Sequence, residues 1–231
     1  MSDREQDLTI NRSSDLLPEL PQSNREYFAI AAIGASAGGL EAFTQLLTNL
    51  PPDIGMGFVL IQHLAPDHDS QLSEILQKTT QMPVHQAQEG MRIAPNNVYV
   101  IPPNSLMTLD QGILKLEPRR RVRGKYMAIN GFFSSLAADR GSQAIAIVLS
   151  GSNEDGAAGL GVIKSVGGTT FAQDLESAEY PTMPMLAIAS GYVDFVLSPA
   201  EIAAELNTSP LRVERCLLWL MKYDYAEGET S

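Results

Sequence analysis

The chain has 231 residues, of which 44% are hydrophobic and 19% are charged. Acidic residues number 27 against 16 basic ones, which gives a net charge of −11 at pH 7. This size and apolar content predict a globular fold with a sizeable core, and no apolar run approaches the roughly 18 residues of a membrane span. The negative charge argues against nucleic acid as a partner, because phosphates repel such a surface.

The two ends of the chain and its single cysteine suggest where the protein works. Cys216 has no partner for an internal disulfide, which is typical of a reducing compartment. Residues 1–26 are polar and lack the basic-then-apolar order of a signal peptide, so we expect a flexible leader. Residues 211–231 are predicted to form a helix followed by a polar tail. We expect a cytoplasmic, soluble protein.

Four segments repeat one pattern, in which an apolar run of strand length precedes a turn and a helix-like stretch. The four runs are YFAIAAIG, GMGFVLIQH, QAIAIVLSG and GGTTFAQD. Continuous apolar strands that alternate with helices predict a doubly wound α/β fold, in which helices cover both faces of a mainly parallel sheet. Residues 129–141 are a further predicted helix, and Ser198 is predicted to cap a terminal helix that starts at Pro199.

The segment between the second and third units departs from this pattern. Apolar and polar residues alternate in this segment, NNVYVIPPNSLMTLDQGILKLEP, and Asp110–Gly112 has the composition of a tight turn. We therefore expect an antiparallel hairpin that is inserted in the strand order of the sheet.

The first apolar run leads into the glycine-rich turn GASAGG, residues 34–39. A phosphate-binding P-loop requires Lys and Ser or Thr after its last glycine, whereas Leu40 and Glu41 follow here. A dinucleotide fingerprint requires glycine where Ser36 stands, so that match is only partial. The pattern G-x-S-x-G between a strand and a helix favours Ser36 as an exposed nucleophile. The alternative is a glycine turn that only closes the strand.

A serine nucleophile requires a general base, and the sequence contains three histidines. His63 ends the second apolar run, just as Ser36 follows the first. Because the carboxyl ends of parallel strands share one edge of a sheet, His63 is the leading candidate. His68 lies in the loop beyond His63, and His85 lies outside the repeating units.

The third apolar run is followed by a turn that contains Glu154 and Asp155. A carboxylate there would fix the tautomer of His63 and stabilise its protonated form. Three strand–helix units would then bring a serine, a histidine and an acid to one edge of the sheet. Two structural alternatives are open: His63 could bond to a loop carbonyl, and Asp155 could cap the helix that follows it.

Two charged segments have further interpretations. HLAPDHD offers possible metal ligands in His63, Asp67, His68 and Asp69, but no third histidine lies nearby and there is no H-E-x-x-H helix, so we expect neither a metal nor a cofactor. EPRRRVRGK is either a solvated loop or a docking patch for an acidic partner. The basic residues of that patch are Arg119, Arg120, Arg121, Arg123 and Lys125.

These segments together resemble a known family. Three segments are similar to the active-site segments of CheB-type chemotaxis receptor methylesterases: IGASAGGLEAF, VLIQHLAPDH and VLSGSNEDGAAGL. Two further segments resemble the family as well, MPVHQAQEGMRIAPNNVYVIPPN and TMPMLAIASGYVDFVL. The resemblance covers roughly residues 28–206. The sequence of these motifs is most similar to that of esterase domains fused to a receptor methyltransferase.

The resemblance implies a catalytic domain at residues 27–210 that hydrolyses glutamate γ-methyl esters on chemoreceptors to glutamate and methanol. Some family members also deamidate receptor glutamines. By resemblance, Ser36 is the nucleophile, His63 the general base and then acid, and Asp155 the orienting acid, with the backbone N–H groups of Ser152 and Ala37 as oxyanion donors. The implied partner is a methylated chemoreceptor, and a receptor methyltransferase or sensor kinase is a further candidate; we expect no membrane insertion.

The sequence departs from the family pattern at several positions. Ala37 replaces a frequent threonine, Ser152 replaces a usual methionine, and Asn130 and Gly131 stand where the family commonly has proline and aspartate. About 26 residues precede the first strand, which is too few for a receiver domain, so we expect no phosphorylation in cis. The competing functions are a non-catalytic module that docks receptor, methyltransferase or kinase, and a nucleotide-binding module.

Overall fold

The computed structural model describes residues 28–62, 71–119 and 126–208. The expected leader at 1–26 and the expected C-terminal helix and tail at 211–231 lie outside the described residues. Both therefore stay predictions.

The described residues form nine strands. In chain order they are β1 (Ile30–Ala35), β2 (Gly57–Gln62), β3 (Val84–Gln86), β4 (Asn97–Val100), β5 (Ser105–Asp110), β6 (Ile113–Pro118), β7 (Ala144–Val148), β8 (Thr169–Gln173) and β9 (Phe195–Leu197). Seven of them form a parallel sheet in the order β3-β4-β2-β1-β7-β8-β9, and β5 and β6 form a separate antiparallel pair.

Six helices accompany the strands in the described part of the chain, and all but the last lie between strands of the parallel sheet. They are α1 (Gly39–Thr48), α2 (Leu72–Gln77), α3 (Ala128–Arg140), α4 (Ala157–Ser165), α5 (Thr182–Ala189) and α6 (Pro199–Thr208), and a 3-10 turn at Gly141–Gln143 follows α3. None of the helices in the described part of the chain combines the length and apolar character that a bilayer crossing needs.

The helices cover both faces of the sheet, as the continuous apolar runs predicted. All six residues of β1 are buried, and successive side chains of a strand point to opposite faces. Ile30 and Ala32 therefore pack in one apolar cluster with α3, α4 and α5. Ala31 and Ile33 pack in a second cluster with α1, α2 and α6. The doubly wound α/β prediction is confirmed.

The predicted hairpin is present, but it lies beside the sheet instead of within its strand order. Strands β5 and β6 turn at Gln111 and Gly112, whose φ angles of 51° and 73° are those of a primed hairpin turn. The hairpin packs on α3, where the Leu109 N–H donates to Ser135 Oγ over 3.0 Å. The first part of the segment, β4, is a parallel strand of the main sheet, because it pairs with both β2 and β3.

The start of α6 also matches its prediction. The Glu201 N–H donates to Ser198 Oγ over 3.4 Å, and the Ser198 N–H donates to the Glu201 carboxylate over 2.9 Å. This reciprocal pair is a capping box, with Pro199 in the first helical position.

Candidate active site

The candidate site lies where the strand order reverses. Strand β1 pairs with β2 on one side, with Ala35 opposite Gln62, and with β7 on the other side, with Gly34 opposite Val148. The chain forms β2, β3 and β4 on one side of β1 before it continues with β7 on the other side. In open α/β sheets, the carboxyl ends of the strands at such a switch point form the ligand crevice.

The turn after β1 depends on its glycines and leaves Ser36 half-exposed. Gly38 caps α1 with a φ of 72°, in the left-handed region that glycine adopts without strain. A Cβ at Gly38 would lie 2.6 Å from Ser150 Oγ, and one at Gly39 would lie 2.9 Å from the Ala35 Cβ. The glycines therefore allow the first turn of α1 to approach the ends of two strands.

The two predicted oxyanion donors flank Ser36 in the chain and in the neighbouring turn. Neither the Ala37 N–H nor the Ser152 N–H takes part in a hydrogen bond among the described residues, and the Ser36 hydroxyl has no hydrogen-bond partner there either. The N–H of Ser36 itself donates to the Ser150 carbonyl over 2.9 Å. A Cβ at Gly151 would lie 3.1 Å from the Ser36 Cβ. The turn that carries Ser152 therefore runs directly beside Ser36.

Ser150 fixes the position of this turn, a role that the sequence analysis missed. It is 1% exposed, and its N–H donates to Gln173 Oε1 over 2.9 Å. Its hydroxyl donates to the Ala37 carbonyl over 2.9 Å and accepts from the Tyr180 N–H over 3.0 Å. Three loops at the carboxyl edge of the sheet are thus joined through one side chain.

Asp155 is 2% exposed and is held by the start of α3. Its Oδ2 accepts from the Ile129 N–H and its Oδ1 from the Asn130 N–H, each over 2.9 Å. A carboxylate in the first turn of a helix satisfies free N–H groups and interacts favourably with the helix dipole. The alternative in which Asp155 caps the following helix is wrong, because its carboxylate caps α3 instead of α4. Glu154, the neighbouring acid, is exposed.

His63 and His68 lie outside the described residues, as do Asp67 and Asp69 of the possible metal cluster. Gln62, which precedes His63 in the chain, donates from Nε2 to the Ser36 carbonyl over 3.4 Å. The third histidine, His85, lies on edge strand β3, where its Nε2 is 2.8 Å from Asn97 Oδ1. In the described ranges, no group of three or more potential ligands could hold a metal.

An open cleft of about 550 Å³ lies over the turn. Its charged lining residues, within the part of the chain that the structure describes, are Glu41 and Glu179. The lining residues are Ser36, Ala37, Gly38, Gly39, Leu40, Glu41, Gln62 and Glu179.

Only the first residue of the predicted basic patch is described. The Arg119 N–H donates to the Asn104 carbonyl over 2.7 Å, and its guanidinium carbon lies 3.7 Å from the centroid of the Tyr126 ring. Arg120, Arg121, Arg123 and Lys125 lie outside the described residues. The docking patch therefore stays a prediction.

The fold and this edge define a doubly wound α/β protein with a half-exposed serine at the switch point of its sheet. Residues 31–206 match the CheB methylesterase family model, and the chain belongs to that family. It is 33% identical over 217 residues to protein-glutamate methylesterase/protein-glutamine glutaminase 3 of Burkholderia lata, and that match covers 89% of this chain. It is 35% identical over 181 residues to protein-glutamate methylesterase/protein-glutamine glutaminase 2 of Pseudomonas aeruginosa, which covers 77% of this chain.

The chain spans 60% of the Burkholderia relative and 52% of the Pseudomonas relative. Among solved structures, the CheB methylesterase catalytic domain of Thermotoga maritima matches with a TM-score of 0.72 and 28% identity. That match covers 78% of this chain and 97% of the solved chain. The likeness therefore extends over a whole catalytic domain.

Proposed function

We propose that this chain is a protein-glutamate methylesterase that hydrolyses glutamate γ-methyl esters on chemoreceptors, and that its catalytic domain spans residues 27–210. One observation carries the proposal: Ser36 lies at the switch point, beside the turn that leads to a buried and doubly hydrogen-bonded Asp155. The third member of the proposed triad, His63, follows Gln62, the register partner of Ala35.

The proposed reaction is acyl transfer in two steps. Ser36 Oγ attacks the ester carbonyl carbon while His63 accepts the hydroxyl proton. The tetrahedral intermediate collapses, and the C–O bond to the methoxy group breaks as His63 protonates the departing methanol. Water then gives a proton to His63 and attacks the acyl-enzyme, and the glutamate carboxylate leaves as Ser36 regains its proton. Asp155 orients the imidazole throughout.

Charge develops on the carbonyl oxygen in both steps, and backbone N–H groups would stabilise it. The N–H groups of Ala37 and Ser152 have no hydrogen-bond partner among the described residues, which supports their assignment as oxyanion donors. The amino end of α1 adds the positive end of a helix dipole. One such donor contributes about 2.7–4 kcal/mol to transition-state stabilisation.

The same machinery would release ammonia from a receptor glutamine, because an amide and an ester form the same acyl-enzyme. We therefore include glutamine deamidation in the proposal, as in the names of the Burkholderia and Pseudomonas relatives. The proposed partner is a methylated chemoreceptor on the cytoplasmic side, and a receptor methyltransferase or sensor kinase is a further candidate partner. Docking through Arg119, Arg120, Arg121 and Arg123 would make receptor binding sensitive to salt.

The test measures methanol released from a methyl-esterified chemoreceptor by the purified chain and by Ser36→Ala. Release by the parent chain and not by the variant would support a serine methylesterase. Absence of release from both, with a folded protein and an ester substrate confirmed by mass spectrometry, would contradict the proposal. Equal release by both would assign the chemistry to another residue.

A further inference from the structure

Asn130, in the first turn of α3, makes hydrogen bonds to the segment from Asp155 to Gly159. Its backbone N–H donates to Asp155 Oδ1 over 2.9 Å. Its side-chain Oδ1 accepts from the Gly156 N–H over 3.1 Å and from the Gly159 N–H over 2.6 Å. Both partners of the side chain are donors, which fixes the oxygen as the atom that faces them.

The two helices therefore cap each other across the site. Asp155, just before α4, satisfies N–H groups of α3, while Asn130 of α3 satisfies N–H groups at the start of α4. Gly156 follows Asp155 directly. Because its N–H donates to Asn130 Oδ1, the Asn130 side chain also fixes the main chain next to Asp155. Asp155 is fixed at its carboxylate by one half of this pair and at its backbone by the other.

The start of α3 is also packed against the strand that leads to Ser36. A Cβ at Gly34 would lie 2.5 Å from Ile129 Cγ2, and one at Gly156 would lie 3.3 Å from the same atom. Gly34 is two residues before Ser36, and Gly156 follows Asp155. A shift of the first turn of α3 would therefore change the position of Asp155 relative to Ser36.

We propose that Asn130 is a positioning residue that acts through Asp155, an inference that rests on the proposed methylesterase function. Its side chain fixes the turn from Asp155 to Gly159, and so it sets where the orienting acid meets its histidine. Because a misplacement of about 1 Å at a reacting group can cost on the order of 10²-fold in rate, loss of this side chain is expected to lower kcat more than it raises KM.

The test compares Asn130→Ala with a matched control, Ser198→Ala. Both remove a side-chain cap from the start of a helix, but Ser198 belongs to α6, on the other face of the sheet. Each variant should lower Tm by about 2–4 °C. In methanol-release kinetics, Asn130→Ala should lower kcat about 10–100-fold with KM within about twofold, whereas Ser198→Ala should leave both nearly unchanged.

A second variant, Asn130→Asp, keeps an acceptor for both N–H groups and adds a negative charge close to Asp155. Three carboxylates are described near this point: Asp155 itself, Glu154 on the same turn, and Glu117, which lines a cavity with Ala128. The basic residue of α4, Lys164, lies in the last turn of that helix. An added carboxylate favours a protonated histidine. The acid limb of the kcat/KM profile should therefore move to higher pH, while kcat at its alkaline plateau recovers to within about threefold of the parent.

The outcomes separate this role from the function on which it rests. Asn130 would be only a helix cap if Asn130→Ala has a lower Tm than the parent but the same kcat as Ser198→Ala. An unchanged acid limb in the kcat/KM profile of Asn130→Asp would lead to the same conclusion. Either result overturns the inference. A parent chain that neither releases methanol nor reacts at Ser36 with a fluorophosphonate probe overturns the proposed function and the inference together. If the alanine variant does not fold, the pH profile of Asn130→Asp decides the question.

Discussion

The turns after β1 and β7 both carry a serine, yet the two serines have opposite environments. Ser36 is half-exposed, and its hydroxyl has no hydrogen-bond partner among the described residues. Ser150 is 1% exposed, and its hydroxyl bonds to main-chain groups of Ala37 and Tyr180. Both residues are serines that follow neighbouring strands, so the number of hydrogen-bond partners among the described residues distinguishes the proposed nucleophile from a structural serine.

The largest expected effect in this comparison is on activity at Ser36. Ser36→Ala removes the proposed nucleophile and should lower kcat/KM by about 10⁴-fold or more. Because the Ser36 hydroxyl has no hydrogen bond to lose within the described part of the chain, Tm should stay within about 1 °C of the parent. Methanol release and a thermal melt check the two halves of the prediction. A variant that keeps a tenth of the activity would show that Ser36 is not the nucleophile.

Ser150→Ala should show the reverse result. It leaves the Ala37 carbonyl and the Tyr180 N–H without their hydroxyl partner in a part-buried position, which costs about 1–3 kcal/mol of unfolding free energy. Activity should fall less than tenfold, because the backbone bonds of Ser150 remain. Denaturant unfolding measures the first effect. The control is Ser165→Ala on α4, whose exposed hydroxyl bonds to the Val162 carbonyl and whose loss should cost under about 0.5 kcal/mol.

The carboxylates allow the same comparison at opposite edges of the sheet. Asp194 lies just before β9, at the amino edge, and accepts from Lys164 Nζ over 2.6 Å and from the Thr170 N–H over 2.9 Å. Burial alone would raise the pKa of Asp194, but these hydrogen bonds together outweigh it and hold the pKa below its usual value. Asp155 likewise binds main-chain N–H groups, but beside the proposed nucleophile.

Asp194→Asn should therefore lose stability without losing activity. A depressed pKa in the folded state means that the unfolded state binds more protons, so the carboxylate stabilises the fold above the unfolded pKa of about 3.9. That contribution, about 1 kcal/mol for a partly exposed group, should disappear as pH falls through the lower folded pKa. Chemical unfolding of parent and variant between pH 7 and pH 2 would measure it. A difference in stability that is independent of pH would contradict an electrostatic origin.

The sequence predicted the features that depend on strong local patterns. The apolar runs of β1, β2 and β7 are long and continuous, so their carboxyl ends, and with them Ser36 and Asp155, could be placed on one edge. Strand β3 could not be predicted, because it has three residues, none of them fully buried. The role of Ser150 depends on Gln173 and Tyr180, and the cap made by Asp155 depends on Ile129. Contacts between residues so far apart in the chain leave no periodic signal.

The smallest expected effect concerns the helix that holds Asp155. Gly131 lies on the exposed side of α3, and nothing lies within 4 Å of a Cβ built there. Gly131→Ala should therefore stabilise the fold by about 0.5–1 kcal/mol through helix propensity. The same change at Gly159, on α4, would place a Cβ 2.8 Å from the Phe133 Cβ and 3.1 Å from Asn130 Oδ1, and it should destabilise the protein. Denaturant unfolding should therefore give changes in unfolding free energy of opposite sign for the two variants. Stabilisation by both changes would contradict the close approach of α3 and α4 at Gly159.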